Sequence, residues 1–447
     1  MSKTATKPTI YAFSTAPGKS AIAVLRVSGP AAGESIRHLT KRDLPKPRMA
    51  ALRRIFEGEE RIDDALVLWI PGPRSETGED MAEFHLHGGR AISTAALAAL
   101  ATLPGFRAAG PGDFTRQAFD NGRLDLTQAE AVADLVEAET AAQRRQALRQ
   151  MDGELGRLYE RWRETLLANL AHGEAAIDFP DEDMPAGLMA RLKRDIDVLG
   201  GEIAAHLDDR GRGERLREGF NIAILGAPNA GKSSLLNFLA RREAAIVSAR
   251  AGTTRDVVEV HLDIAGYPVS LSDTAGLRAT TDEIEAEGVR RALARAESAD
   301  LKLVLFDAAL WPAADDATAT QIDGNALILL AKSDLSAQLP DSPSVLGQPA
   351  VALSVKTGAG TELMLARLKD LIAERFAAGE LPALTRQRHR EALQECQEAL
   401  ARARSAASPE LMAEDLRLAA RALGRITGRV DVEDILDRIF RDFCIGK

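Results

Sequence analysis

Short apolar runs punctuated by glycine and proline fill the first part of the chain. Ala21 to Val27, Ala65 to Ile70 and Ala82 to Leu86 are such runs, with turns at Pro71-Gly72-Pro73 and Pro111-Gly112. Runs of that length bounded by turn residues predict strands, and the mixture predicts an α+β domain over residues 1–120. From about Thr127 to Leu170 the text turns to Ala, Leu, Glu, Gln and Arg at helical spacing with almost no breakers, which predicts one long helix, with Gly153 as the place for an interruption. Helical text resumes from Leu188 to Leu216. From Glu218 onward, apolar strands (Phe220 to Leu225, Pro268 to Ser272, Ala326 to Leu330) alternate with helical stretches, the pattern of a parallel α/β sheet. After Ile372 the helical pattern returns through Glu391 to Ala406, Glu410 to Leu423 and Val432 to Phe443. The expected organisation is a multidomain α/β chain. It has an α+β domain at 1–120, an all-helical domain in two parts (121–217 and 377–447), and an α/β domain at 218–376 inserted between those parts. An inserted domain can pass order–disorder changes to helices on both of its sides.

Composition narrows the class. The chain has 447 residues, 45% hydrophobic and 28% charged, too long for one core and ordinary for a soluble protein. No apolar stretch approaches the length of a membrane span, and Met1 to Lys7 is polar with no signal-peptide core behind it. Two cysteines, Cys396 and Cys444, cannot make a disulfide framework and suit a reducing compartment, so a cytoplasmic location is expected. The net charge of −9 argues against broad nonspecific nucleic-acid binding. A nucleic-acid partner would have to be met by a local basic patch or through a partner protein.

The chemistry is concentrated in the inserted domain. Gly226-Ala-Pro-Asn-Ala-Gly-Lys-Ser233 follows an apolar run and precedes helical text, the strand–loop–helix setting of a Walker A phosphate loop. Its backbone N–H groups, including those of Asn229, Ala230 and Gly231, would wrap the phosphates; Lys232 would reach the β- and γ-phosphates and Ser233 would ligate Mg²⁺, with Ser234 next to it. Gly252-Thr253-Thr254-Arg255-Asp256 stands where a switch loop supplies a threonine to the Mg²⁺ shell. Asp273-Thr274-Ala275-Gly276 has the position of a Walker B aspartate with a γ-phosphate-sensing glycine. Ala331-Lys332-Ser333-Asp334 stands where GTPases read Asn-Lys-x-Asp, the aspartate accepting from guanine, and Ser354-Val355-Lys356 where a backbone N–H backs the guanine carbonyl. Ala331 replaces the usual asparagine, so guanine preference is expected to survive with weaker affinity. Leu277 replaces the glutamine that orients water in Ras-like proteins, and an apolar side chain cannot take that role. Asp282, Glu283, Glu285 and Glu287 are nearby candidates for it, and equally an acidic helix N-terminus stabilised by the dipole. The amide oxygen of Asn229 could help hold a monovalent cation.

The phosphate loop, Ala251-Gly-Thr-Thr-Arg-Asp256 and Asp273-Thr-Ala-Gly-Leu-Arg278 resemble the MnmE (TrmE) family of tRNA-modification GTPases, among the TrmE-Era-EngA-like GTPases. The likeness extends over the rest of the chain: Thr77-Gly-Glu-Asp80, His87-Gly-Gly89, Gly110-Pro-Gly-Asp-Phe-Thr115, Leu124-Asp-Leu126, Ala175-Ala-Ile-Asp-Phe-Pro180 and the terminal Cys444-Ile-Gly-Lys447. The resemblance implies a Ras-like P-loop GTPase domain inserted in the helical domain, and a folate-binding-like N-terminal domain that makes a homodimer. It implies a K⁺-stimulated GTP hydrolase that forms a heterotetramer with an FAD-dependent partner and modifies the wobble uridine of certain tRNAs with a 5-carboxymethylaminomethyl-type group. By the same resemblance Glu285 orients the hydrolytic water. Ser248, Ala249, Arg250, Ala251, Gly252, Thr253 and Thr254 form the loop against the nucleotide, Ser233 and Thr254 hold Mg²⁺, and Asn229, Ser248, the Arg250 carbonyl and Thr253 hold K⁺. Arg26, Glu83, Arg123 and Lys447 fall on positions that contact 5-formyltetrahydrofolate. Arg123 stands where many relatives have lysine, which keeps the charge but not the geometry. Read without the resemblance, Arg26 is equally a strand-end arginine and Lys447 a solvated tail. Cys444 reads as packing or a pocket wall, and His85 and His87 make no zinc constellation with the distant cysteines. A ribosome-assembly GTPase switch is the alternative function, and a scaffold that has lost hydrolysis a further one.

Overall fold

The computed structural model describes residues 7–178, 187–246, 259–273, 297–336, 339–376, 382–430, 433–441 and 443–446. The chain forms two compact units, Met1–Val136 with Arg149–Gly200 and Ala392–Lys447, and Glu137–Leu148 with Gly201–Glu391.

The first unit is built on a six-stranded sheet of β1 (Thr9–Phe13), β2 (Ser20–Ser28), β3 (Ala51–Glu57), β4 (Glu60–Ile70), β5 (Met81–Gly88) and β6 (Phe106–Ala108), in the order β3-β4-β5-β2-β1-β6. Every pair is antiparallel except β1 with β6. Period-two alternation decides its faces. Leu25, Val27, Val67, Phe84 and Leu86 pack with Ile36, Leu39, Ala96 and Leu100 of helices Ala32–Thr40 and Arg90–Ala101. Arg26 and Glu83 therefore point to the opposite face. Helices Glu154–Asp178 and Pro409–Thr427 pack together in the same unit, with Trp162, Leu166, Leu416 and Leu423 buried.

The end of the chain returns to its beginning within this unit. Leu436, Phe440 and Phe443 share a cluster with Phe119, Leu126 and Ala129. Ile445 bridges Pro111, and the Ser14 hydroxyl donates to the Gly446 carbonyl at 2.9 Å. Gly446 has a φ of +94°, and a Cβ there would overlap the Phe13 carbonyl, so only glycine lets the tail lie this close to β1.

The helix expected from Thr127 to Leu170 is instead three: Leu126–Glu137, Ala141–Met151 and Glu154–Asp178. Gly153, with φ of +80°, makes the second break. The first is a capping box. Thr140 Oγ1 accepts from the Gln143 N–H at 3.3 Å, and Gln143 Oε1 accepts from the Thr140 and Glu139 N–H groups at 3.0 Å.

The second unit holds an eight-stranded sheet of β7 (Phe220–Gly226), β8 (Ala244–Ile246), β9 (Glu259–Ile264), β10 (Tyr267–Asp273), β11 (Leu301–Asp307), β12 (Ala326–Ala331), β13 (Ser344–Val345) and β14 (Gln348–Ala352), ordered β13-β14-β12-β11-β7-β10-β9-β8. The strands from β14 to β10 are parallel. β7 lies between β11 and β10 and is covered on both faces, which is why Ile222, Ala223, Ile224 and Leu225 are all buried and its text is apolar after Asn221. Where the chain passes into and out of this sheet, Arg390 ties the two crossings together. Its guanidinium donates to Asp209 Oδ1 at 2.6 Å, Glu214 Oε1 at 3.1 Å and the Leu207 carbonyl at 2.9 Å. His206 and His389 are buried beside it.

Candidate functional site

The phosphate loop leaves the C-terminal end of β7, where open parallel sheets place their ligands. Gly226 turns with φ of +155°, and a Cβ there would lie 2.6 Å from the Leu305 carbonyl, so the loop can pass β11 only as glycine. Asn229 is exposed at the tip with φ of +64°, a conformation that asparagine tolerates. Ala230 is buried, and its N–H donates to the Ala227 carbonyl at 3.2 Å. Gly231 opens the helix Lys232–Arg242, whose first turn carries Ser233 and Ser234 on its exposed side. Lys232 is buried, and its ammonium donates to the carbonyls of Gly226 at 2.8 Å and Ala227 at 3.0 Å. The lysine thus folds back over the loop. A positive helix end, a buried ammonium and turn amides are the ingredients of a polyphosphate site.

The base-recognition segment follows β12. Lys332 has a φ of +57° and starts the short turn Ser333–Leu335, on which Asp334 is exposed. Lys332 Nζ donates to Asp307 Oδ2 at 2.8 Å, and Asp307 Oδ1 accepts from the Ala309 N–H at 3.0 Å. Burial pushes the Asp307 carboxyl up, but the hydrogen bonds from Lys332 and Ala309, together with the lysine charge, outweigh it and hold it below the ordinary carboxylate value. Ser354 is buried; its N–H donates to the Ala359 carbonyl at 2.8 Å, and its loop is docked to the Lys332 turn by Ser333 N–H donating to Leu353 O at 3.1 Å. A Cβ on Gly231 would stand 3.6 Å from the Ala331 Cβ, so the phosphate loop and the base segment are direct neighbours. The structure therefore brings Asn229 to Ser234, Lys332, Asp334 and Ser354 to one end of one sheet. Ser248, Ala249, Arg250, Ala251, Gly252, Thr253, Thr254, Thr274, Ala275, Gly276 and Glu285 lie outside the described residues, as does the side chain of Asp273 at the end of β10.

In the first unit Arg26 and Glu83 face each other in register on β2 and β5. The Arg26 guanidinium contacts Glu83 Oε1 at 3.0 Å and Glu76 Oε2 at 2.9 Å, and its carbon lies 5.9 Å from the Phe114 ring centroid. His85 Nε2 is 3.6 Å from Glu83 Oε2. Arg123 is exposed, with its Cγ over Gly78, one turn of chain from Glu76. A half-buried carboxylate and a guanidinium suit a ligand that carries ring N–H donors and acid groups, while Phe114 is buried under the guanidinium. Lys447 lies outside the described residues, although Gly446 before it is docked against β1. Sequence reading missed Glu76, Phe114 and Asp307. Phe114 lies inside a motif already quoted, and Asp307 closes an apolar run.

Family comparisons cover the chain almost entirely. The MnmE helical domain profile matches residues 126–444, and that of the GTP-binding protein TrmE N-terminus matches residues 9–123. The tRNA modification GTPase MnmE of Paramagnetospirillum magneticum is 56% identical over 441 residues, 98% of this chain and 99% of that one. Its counterpart from Parvibaculum lavamentivorans is 56% identical over 445 residues, 98% of this chain and all of that one. Among solved structures, the G domain of the T. maritima FeoB iron transporter is 24% identical with a TM-score of 0.26, covering 35% of this chain and 98% of that one. With a matching profile over most of its length and relatives more than half identical from end to end, the chain belongs to the MnmE family of tRNA modification GTPases.

Proposed function

We propose that this GTP hydrolase is a K⁺-stimulated switch for tRNA modification. Together with an FAD-carrying flavoprotein partner in a heterotetramer, it installs a 5-carboxymethylaminomethyl-type group on the wobble uridine of certain tRNAs. One observation carries the reading: a complete phosphate loop with a buried Lys232 sits in a chain whose kinship to tRNA modification GTPases runs from residue 9 to residue 444. Lys232 neutralises the β- and γ-phosphates, the loop amides cradle them, and Asp334 and Ser354 read the base. Ser233 and Thr254 hold Mg²⁺; the donors are hydroxyls, as a hard cation requires. Asn229, Ser248, the Arg250 carbonyl and Thr253 hold K⁺, which supplies the positive charge between α- and γ-phosphates that an arginine finger supplies in other GTPases. Glu285 orients the water, because Leu277 cannot.

We place the modification chemistry away from the GTP. Arg26, Glu83, Arg123 and Lys447 hold 5-formyltetrahydrofolate, the source of the one-carbon unit, in an N-terminal domain that pairs with a second copy. Leu52 and Leu66, register partners exposed on the outer sheet face, support such a pairing. Hydrolysis then drives a G-domain movement that both flanking helical segments follow, in the division 1–120, 121–217, 218–376 and 377–447. Among the described residues no helix is long and apolar enough to cross a membrane, which suits cytoplasmic work on tRNA. The test is steady-state GTP hydrolysis in KCl against NaCl at equal ionic strength. Strong stimulation by K⁺ that disappears in Glu285→Ala is expected; equal slow rates in the two salts would overturn the cation-assisted mechanism.

A further inference from the structure

Where the GTPase pattern Asn-Lys-x-Asp has asparagine before the lysine, this chain has Ala331, whose Cβ lies against Gly231 of the phosphate loop. The side chain that would brace the base segment is missing. β11 and β12 run parallel in a register that sets Asp307 level with Ala331. Both Asp307 oxygens are engaged: Oδ1 by the Ala309 N–H at 3.0 Å and Oδ2 by the Lys332 ammonium at 2.8 Å. The first contact orients the carboxylate through its own turn, Ala308–Leu310; the second fixes the lysine from which the turn bearing Asp334 starts. A free lysine side chain loses rotamer entropy when it is ordered, and a partner that orders it beforehand removes that cost from binding.

We infer that Asp307 is a positioning residue of the GTP site, a carboxylate on the neighbouring strand that braces the base-recognition segment in place of the absent asparagine. The inference rests on the reading of Lys332 and Asp334 as base-recognition residues. It goes further in assigning a role to a residue outside the GTPase motifs. Asp307 touches neither base nor phosphate; it acts through Lys332. A carboxylate that only capped its own turn would be replaced without loss by asparagine, which keeps the Oδ1 acceptor and loses only the charge facing Lys332.

The full chain is titrated with the fluorescent nucleotide mant-GDP, and steady-state GTPase parameters are measured for Asp307→Asn, Lys332→Met, the double variant, Asp334→Asn, and Asp307→Asn combined with Ala331→Asn. Asp307→Asn is expected to raise Kd and KM about five- to tenfold with kcat within twofold of the parent, the scale of a half-exposed charge-assisted contact. The double variant binds no more weakly than Lys332→Met alone, and Ala331→Asn recovers at least threefold of the loss. Binding by Asp307→Asn within twofold of the parent while Lys332→Met weakens it overturns the inference and leaves the base reading intact. Additive losses in the double variant, or no recovery by Ala331→Asn, overturn it likewise. If neither Lys332→Met nor Asp334→Asn changes binding, the base reading fails and the inference with it.

Discussion

His206 lies only 2% exposed beside Asp209 and Arg390. Burial is the largest cause lowering its pKa; the charges of His389, Arg390 and Arg212 add to it and Asp209 opposes, and the imidazole is pushed down from 6.5 to about 4. In the folded chain the ring therefore stays neutral down to about pH 4, whereas in the unfolded chain it takes up a proton below its ordinary value. The folded value is the lower one, so between the two the unfolded state binds more protons and stability falls as the pH falls. The slope is about 1.4 kcal/mol per pH unit, which amounts to about 2 kcal/mol by pH 5, before most carboxylates titrate. His206→Gln keeps a polar side chain of similar size and removes the titration. Urea unfolding of both full chains, followed by circular dichroism between pH 7.5 and 5.0, measures the difference. The parent is expected to lose about 2 kcal/mol more than the variant over that interval, with parallel behaviour above pH 7. Equal pH dependence in the two chains would refute the assignment of a buried neutral imidazole.

Further perturbations probe other parts of the molecule. Lys232→Ala should reduce GTP hydrolysis at least a hundredfold while leaving the circular dichroism spectrum unchanged, because the ammonium's bonds to the Gly226 and Ala227 carbonyls lie within the phosphate loop itself. Gly446→Ala should displace the tail from Phe13, seen as faster proteolysis at the C-terminal end and weaker binding of formyltetrahydrofolate, with GTP affinity unchanged. Arg390→Met leaves Asp209 and Glu214 as adjacent half-buried carboxylates; a loss of about 3 kcal/mol is expected, lowering the Tm of the second unit by roughly 6–12 °C in calorimetry.

The phosphate loop was legible because its chemistry demands consecutive residues of fixed type, and β7 announced itself by an apolar run that only double-sided burial explains. The helical break at Thr140 was missed for the opposite reason. Neither proline nor glycine marks it, and the signal is a threonine and a glutamine three residues apart whose side chains cap each other. Arg26 and Glu83 were each placed at a ligand by resemblance. That they face each other follows from the register of strands 57 residues apart, which no local pattern encodes. The Asp307–Lys332 pair was invisible for the same reason, since an acid at a strand end is common and its partner comes from the next strand.

The pairing of Ile445 with Pro111 also sets a timetable for biosynthesis. The two are separated by 334 positions (445 − 111), and at ribosomal speeds of about 5–20 residues per second the later one emerges roughly 20 to 60 seconds after the earlier. Throughout that interval Phe119 and Leu126 lack the aromatic cover that Phe440 and Phe443 will bring. The domain made first is thus the one finished last, and during that wait the nascent polypeptide offers a sticky apolar patch to chaperones and to its neighbours on the polysome. A message truncated before the codon for Phe440 would yield an N-terminal domain that never closes, whatever the state of the nucleotide site.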